Sequence, residues 1–169
     1  MSVRPLNPTE VAAVQAIFEI GLQIERVRIS EDTPIGNWVG RFGAWLKRQP
    51  PPEANAITLG NTSYFPRRLT GDLADMGWLI HELTHQWQYQ HVGLRYLFQA
   101  IFAPTYDYVV DGLSPNAALR ELREKGWTFD KFNREQQGNI VRDYYWALTQ
   151  GADVSGWVNY LADIRTPPR

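Results

Sequence analysis

The chain has 169 residues, of which 44% are apolar, 13% aromatic and 21% charged, and its formal net charge is −1. This length can bury one sizeable core but not two, and the aromatic content excludes an intrinsically disordered chain. A net charge near zero also excludes the overall basic field that attracts nucleic acids or anionic membranes. We therefore expect one domain over residues 1–169, monomeric, with neither nucleic acid nor a membrane as partner.

The first ten residues, MSVRPLNPTE, lack the apolar core of a signal peptide, and no apolar run approaches the roughly 18 residues of a membrane span. We expect synthesis in the cytoplasm, so that any export requires a dedicated secretion system. The chain has no cysteine. A bound metal would therefore depend on His, Asp or Glu.

The first predicted element is an amphipathic helix over residues 7–20. It begins with Asn7 as a cap, Pro8 at the first helical position and Glu10 at the third, and Gly21 provides a stop. The next segment, LQIERVRIS (residues 22–30), predicts a short strand.

Residues 31–55 contain several glycines and prolines, which predict mostly loop with at most a short helical piece. Residues 56–65, AITLGNTSYF, are β-prone at both ends around a Gly-Asn pair. This pattern predicts either one interrupted strand or a hairpin.

The strongest helix signal lies between a cap at Thr70 or Asp72 and a stop at Gly93. Its apolar residues recur at steps of three and four: Leu73, Met76, Ile80, Leu83 and Trp87. Three more helices are predicted, capped by Ser114, capped by Asn133 with Gln136, and over residues 154–165. The predicted class is α+β, mainly helical, with a small sheet packed on the helix that ends at Gly93.

All three histidines of the chain lie in one stretch, HELTHQWQYQH. On a helix, His81 and His85 stand about one turn apart on the same side, as two ligands of one ion must. Glu82 is turned too far to be a ligand but can reach a water there, so we predict that it is the general base. The alternative is that both histidines are ordinary residues at the edge of the core.

Two residues compete for the third ligand position. His91 has the spacing of the metzincin pattern H-E-x-x-H-x-x-G-x-x-H, but Gln88 stands where that pattern has its glycine. An unbroken helix would turn His91 about 120° away from His85, which favours an ordinary role at the helix end. Glu135 lies in the first turn of a downstream helix, where it could complete the site or simply interact with the helix dipole.

HELTHQWQYQHVG, YDYVVDG and FNREQQGNIVRDYYWAL together resemble a group of small bacterial zincin-like proteins. These occur alone or as C-terminal extensions of type VI secretion spike proteins of the VgrG type. The resemblance extends from about residue 10 to 150. It implies a zincin-like, gluzincin-type fold, zinc ligands His81, His85 and Glu135, Glu82 as base, and a secretion apparatus as partner.

The chain departs from the broader gluzincin pattern at two positions. Asn139 stands where an aspartate would support a ligating histidine, and Gly138 is expected to weaken the helix that carries Glu135.

The expected chemistry is hydrolysis of peptide bonds by a zinc metallopeptidase, which the resemblance extends to a secreted effector or toxin. A peptide substrate could align along the strand within residues 56–65. Tyrosines 106, 108, 144 and 145 are available to stabilise the oxyanion, and of these we favour Tyr108, although an aromatic core role fits each of them.

Two other functions remain open at this point. One is a zincin-like module that binds a partner or a secretion spike without cleaving, which an intact Glu82 disfavours. The other is a structural metal site, which would normally have four protein ligands and often cysteines.

Overall fold

The computed structural model describes residues 2–35, 56–95, 107–109 and 112–168. Within these residues the elements are, in chain order, β1 (Ser2–Arg4), α1 (Pro8–Phe18), β2 (Arg28–Glu31), β3 (Ile57–Leu59), β4 (Thr62–Tyr64), α2 (Leu73–Val92), α3 (Pro115–Glu124), α4 (Arg134–Thr149) and α5 (Val158–Ile164). Short 3-10 turns lie at Glu19–Gly21, Ile24–Arg26 and Phe129–Lys131. The helices and one small sheet form the α+β class that the sequence predicts.

Local hydrogen bonds set the start of α1 as predicted. The Asn7 side chain accepts from the Glu10 amide at 2.9 Å, and the Glu10 carboxylate accepts from the Asn7 amide at 2.7 Å. This reciprocal pair satisfies two amides that the first turn of a helix leaves without partners. The helix ends at Phe18, and the 3-10 turn that follows contains Gly21.

The sheet has the strand order β1-β2-β4-β3, with β2 and β4 parallel and the other pairs antiparallel. The strand predicted over residues 22–30 is wrong in its first half, because Ile24–Arg26 forms a 3-10 turn and only Arg28–Glu31 is extended. Strand β1 was not predicted from the sequence at all.

Residues 56–65 form the hairpin alternative, β3 and β4, around Gly60 and Asn61. Gly60 has φ of +64°, a left-handed conformation that costs glycine little. Strand β3 lies at one edge of the sheet among the described strands.

Helix α2 runs without a break from Leu73 to Val92, with Asp72 rather than Thr70 as its cap and Gly93 at its end. Met76, Ile80, Leu83 and Trp87 of the predicted stripe are buried, but Leu73 is 39% exposed. The helix continues through Gln88, so the chain does not turn back there as a metzincin does.

Helices α2 and α4 approach closely because glycines lie where they meet. A methyl group on Gly77 would lie 2.1 Å from Trp146 Nε1, and one on Gly138 would lie 2.7 Å from Cε1 of the His81 ring. No side chain larger than a hydrogen atom fits at either position without a shift of its neighbour. The expectation that Gly138 mainly weakens α4 therefore misses its role, which is to make room for His81.

Buried aromatic side chains attach α5 to the rest of the core by donating to backbone carbonyl groups. Trp87 Nε1 donates to Ile164, Trp157 Nε1 to Ile140 and the Tyr160 hydroxyl to Leu119, at 2.9–3.0 Å. Their rings supply apolar area while each polar atom keeps a partner.

The layer between the sheet and α2 is polar as well as apolar. Thr58, Ser63 and Gln86 are buried there and bonded to one another or to the helix. Among the described residues, Gln86 Oε1 is buried in this layer without a hydrogen-bond partner. This interface therefore depends on hydrogen bonds as well as on apolar packing.

The loop predicted over residues 31–55 lies largely outside the described residues. No helix in the described parts of the chain has the length and apolarity of a membrane span.

The α2–α4 contact predicts a reversal of the usual effect of alanine. Gly77→Ala should lower the free energy of unfolding by about 1–3 kcal/mol, because the new methyl group displaces the Trp146 ring. In a Trp146→Ala background the same change should stabilise the protein by up to about 1 kcal/mol, the ordinary helix-propensity effect. Urea unfolding of the four proteins measures both effects, and equal effects in both backgrounds would contradict the packing explanation.

Candidate metal centre

Helix α2 places His81 and His85 one turn apart on the side that faces α4. Their ring centroids lie 5.0 Å apart with the rings at 79° to each other. His85 is buried and His81 is partly buried. The helix thus presents two imidazoles to one small volume, as the H-E-x-x-H spacing predicts.

Helix α4 brings the carboxylate of Glu135 to the same volume. Asn133 and Gln136 form a capping box that fixes the first turn, in which Glu135 lies. Glu135 Oε2 is 3.3 Å from His81 Nε2, and Oε1 is 3.5 Å from His85 Nε2. One potential ligand atom from each residue lies within 4.8 Å of the others.

The donors and their separations fit a zinc ion. Two ligands of one tetrahedral ion lie about 3.3 Å apart when both bonds are about 2.0–2.1 Å. The two His–Glu separations, each measured to a different oxygen of Glu135, are close to this value. Two imidazole nitrogens with one carboxylate form a common donor set for catalytic zinc, and they leave a fourth position for water.

A pair of buried glutamines fixes the tautomer of His85. Gln88 Nε2 donates to the Arg134 carbonyl and to Gln137 Oε1, so Gln88 Oε1 faces His85 Nδ1 at 2.8 Å. Gln137 Nε2 in turn donates to the carbonyl groups of Phe129 and Phe132. Nδ1 therefore carries a proton, and in the neutral, metal-binding form of His85 the lone pair is on Nε2, on the side of Glu135.

Sequence reasoning missed this support. The pattern suggested an aspartate from α4 as the partner of a ligating histidine, and Asn139 in that position raised doubt that any partner exists. The partner of His85 is instead an amide three residues further along the same helix. Its i, i+3 spacing was visible, but its orientation depends on contacts with α4.

Glu82 is buried beside the three donors without belonging to their cluster. Its Oε2 accepts a 2.8 Å hydrogen bond from the Thr58 hydroxyl on β3. The carboxylate is thus held between α2 and the edge strand. Thr58 is the second residue near the site that sequence reasoning missed, because only the fold brings β3 to α2.

The three donors form a strongly coupled electrostatic group in the absence of a metal. Burial lowers the pKa of His85, but the charge of Glu135 and a hydrogen bond to it act in the opposite direction and raise the pKa to about 9. Burial likewise raises the pKa of Glu135, whereas the two histidines hold it well below its usual value. At neutral pH the metal-free site therefore contains a buried ion pair.

His91 lies away from this group. Its Nδ1 is 2.8 Å from the Trp87 carbonyl oxygen, its Nε2 is 3.0 Å from that of Thr166, and its ring packs on Trp87. Both ring nitrogens face backbone oxygens near the end of α2. The structure therefore gives His91 a role at the helix end and groups Glu135 with the other two histidines.

The candidate oxyanion donors have different surroundings. Tyr108 is buried, and its hydroxyl donates to Asp143 Oδ2 at 2.7 Å, two turns beyond Glu135 on α4. Burial and the charge of Asp143 raise the pKa of Tyr108 above its usual value. Tyr144 is buried near Trp157, Tyr145 is partly buried, and Tyr106 lies outside the described residues.

Comparisons with known proteins support the part of the resemblance that concerns type VI secretion spike proteins. The chain is 28% identical over 172 residues to the type VI secretion system spike protein VgrG2b of Pseudomonas aeruginosa, a match that covers 98% of this chain. It spans only 15% of the length of that protein. No family model matches the sequence.

The solved structure of the effector domain of P. aeruginosa VgrG2b has a similar fold. The two superpose with a TM-score of 0.61 at 24% identity, over 95% of this chain and 84% of that one. The chain is therefore related to a type VI secretion spike protein and shares the fold of its effector domain.

The buried ion pair predicts how the stability of the metal-free protein depends on pH. Because the folded pKa of His85 lies above the ordinary value of about 6.5, its contribution is complete below pH 6.5 and is lost as the pH rises through about 9. We expect the free energy of unfolding to fall by about 1–3 kcal/mol across this range.

Urea unfolding in the presence of a chelator at pH 6 and pH 9.5 measures this loss. Glu135→Gln is the control, because without the carboxylate charge the pKa of His85 is no longer raised. An equal pH dependence in both proteins would show that the pair does not form.

Proposed function

We propose that this domain is a zinc-dependent metallopeptidase of the gluzincin type and acts as an effector exported by a type VI secretion system. The observation that supports the proposal best is the convergence of His81, His85 and Glu135 from two helices, with Glu82 beside them. These groups have the ligand chemistry, separations and burial that a catalytic zinc site requires.

Each residue then has a distinct task. His81 Nε2, His85 Nε2 and a Glu135 oxygen would hold the ion, while Gln88 keeps the His85 ring in the ligating tautomer. Zinc bound there supplies a Lewis acid that polarises a carbonyl oxygen and lowers the pKa of water towards about 7.

Glu82 would move the proton. A carboxylate oxygen of Glu82 takes one proton from the attacking water as the water oxygen bonds to the scissile carbonyl carbon. The same carboxyl group then gives that proton to the amide nitrogen as the C–N bond breaks, so that Glu82 leaves the cycle ionised. Its burial next to the ligands keeps this transfer away from bulk solvent.

The edge strand β3 would align the substrate. Among the described strands it lies at one side of the sheet, where an extended peptide could add as a further strand. The Thr58 side chain points inward to Glu82, so a peptide paired with β3 would pass close to the general base.

The effector role is supported by similarity to the VgrG2b effector domain and to the spike protein that contains it. A fused or associated spike would carry the domain out of the cell. The rival function is a module of the same shape that binds a partner and no longer cleaves. Such a module would be distinguished by the absence of turnover, whether or not it binds zinc.

Zinc content should separate the ligands from the base. We expect one zinc per chain in the wild type and in Glu82→Gln, and a loss of at least about tenfold in affinity in His81→Ala, His85→Ala and Glu135→Ala. His91→Ala is the matched control on the same helix and should keep its zinc. Elemental analysis and competition with a chromogenic chelator measure these values.

Turnover should require the general base Glu82 as well as the bound metal. In a broad peptide library with a chelator control, Glu82→Gln should lose at least about 100-fold in kcat while keeping its zinc. Wild-type protein that binds zinc but cleaves nothing would support the binding module. Loss of zinc in His91→Ala rather than Glu135→Ala would refute the ligand set.

The role of Tyr108 has its own test. If its hydroxyl stabilises the oxyanion, Tyr108→Phe should lower kcat by about 100-fold without loss of zinc. If the hydroxyl instead only supports the fold through its hydrogen bond to Asp143, Tyr108→Phe should lower stability and leave kcat unchanged. Tyr145→Phe, on a partly buried tyrosine, is the control.

A further inference from the structure

We infer, resting on the proposed function, that Thr58 is a positioning residue for the general base. It would act by holding Glu82 through a buried chain of hydrogen bonds that all point the same way. The chain connects the sheet to the H-E-x-x-H helix and runs from Gln86 through Ser63 and Thr58 to Glu82.

The four side chains are linked one after another by short hydrogen-bond distances. Gln86 Nε2 lies 2.8 Å from Ser63 Oγ, Ser63 Oγ lies 2.7 Å from Thr58 Oγ1, and Thr58 Oγ1 lies 2.8 Å from Glu82 Oε2. Ser63 and Gln86 are fully buried, and Thr58 and Glu82 nearly so. Ser63 and Thr58 face each other across the β3–β4 pair, which sets their separation.

The direction of the chain follows from its two ends. Gln86 Nε2 also donates to the Arg28 carbonyl at 3.1 Å, so the amide group must present its nitrogen, not its oxygen, to Ser63. At the other end Glu82 must be ionised to act as a base, and a carboxylate only accepts. Thr58 therefore donates to Glu82, Ser63 donates to Thr58, and Gln86 donates to Ser63.

This arrangement commits one oxygen of Glu82 and leaves the other for chemistry. Within the described residues, Oε1 accepts no hydrogen bond, whereas Oε2 is bound to Thr58. The Thr58 hydroxyl is also 3.1 Å from the Glu82 carbonyl oxygen, so it lies against both the side chain and the backbone of the base. Rotation of the carboxylate away from the site would break the bond to Oε2.

The same chain of hydrogen bonds also connects the alignment of the substrate to the general base. Thr58 is the central residue of β3, which lies at one edge of the sheet among the described strands and along which a peptide would pair. The strand that would set the position of the scissile bond therefore also sets the position of the group that moves the proton.

The test compares Thr58→Val, which removes the hydroxyl at nearly constant shape, with Thr58→Ser, which keeps it. We expect Thr58→Val to lower kcat by about 10- to 100-fold with KM unchanged within about twofold and one zinc per chain. Thr58→Ser should stay within about fivefold of the wild type. Ser63→Ala should have a smaller effect because it breaks the chain one link further away.

Thr84→Val is the matched control. Thr84 is a buried threonine on the same helix whose hydroxyl donates to the Ile80 carbonyl and does not reach Glu82. Like Thr58→Val, the Thr84→Val variant loses a buried hydroxyl group, but its kcat should stay within about twofold of the wild type. In a Glu82→Gln background, Thr58→Val should cause no further loss of kcat, since the base that it positions is gone.

Crystal structures of wild type and Thr58→Val give a readout that does not depend on turnover. The carboxylate of Glu82 should lie against Thr58 in the wild type and adopt a second orientation in the variant. An unchanged Glu82 in Thr58→Val, or a serine variant as slow as the valine variant, would overturn this inference. A wild type that binds zinc without cleaving peptides would instead overturn the proposed peptidase function.

Discussion

The close approach of α2 and α4 is the contact on which the candidate site depends. Glycines at positions 77 and 138 let Trp146 and His81 pack directly against the opposite helix. Glu135 can lie 3.3–3.5 Å from both imidazoles only because the helices meet at this distance. Backbone packing thus sets the geometry of a polar site, which explains why glycine occurs inside two helices despite its low helix propensity.

The polar groups at this contact are coupled through charge and hydrogen bonds. In the absence of a metal, Glu135 and His85 stabilise each other's charged forms in a buried setting. Gln88 and Gln137 hold the His85 ring from behind through neutral amides. The arrangement keeps two imidazoles and one carboxylate pointing at a common volume.

The sequence predicts those parts of the molecule that depend on local signals. The capping boxes at Asn7 and Asn133 are visible because their partners lie three residues away, and the hairpin is visible in its Gly-Asn pair. Strand β1 and the roles of Thr58 and Gln88 were missed, because each depends on a partner distant in the chain. The role of Gly138 was misjudged for the same reason, since helix propensity does not depend on which side chain of the neighbouring helix lies against it.

The polar layer between the sheet and α2 affects how the molecule opens. Among the described residues, the buried Gln86 Oε1 lacks a hydrogen-bond partner there, and hydrogen bonds attach the Thr58 side chain to the helix. Water can replace such bonds at a small net cost, whereas separating α2 from α4 exposes packed rings. Local opening should therefore start at the hairpin, and amide exchange should be faster in β3 than in the middle of α2.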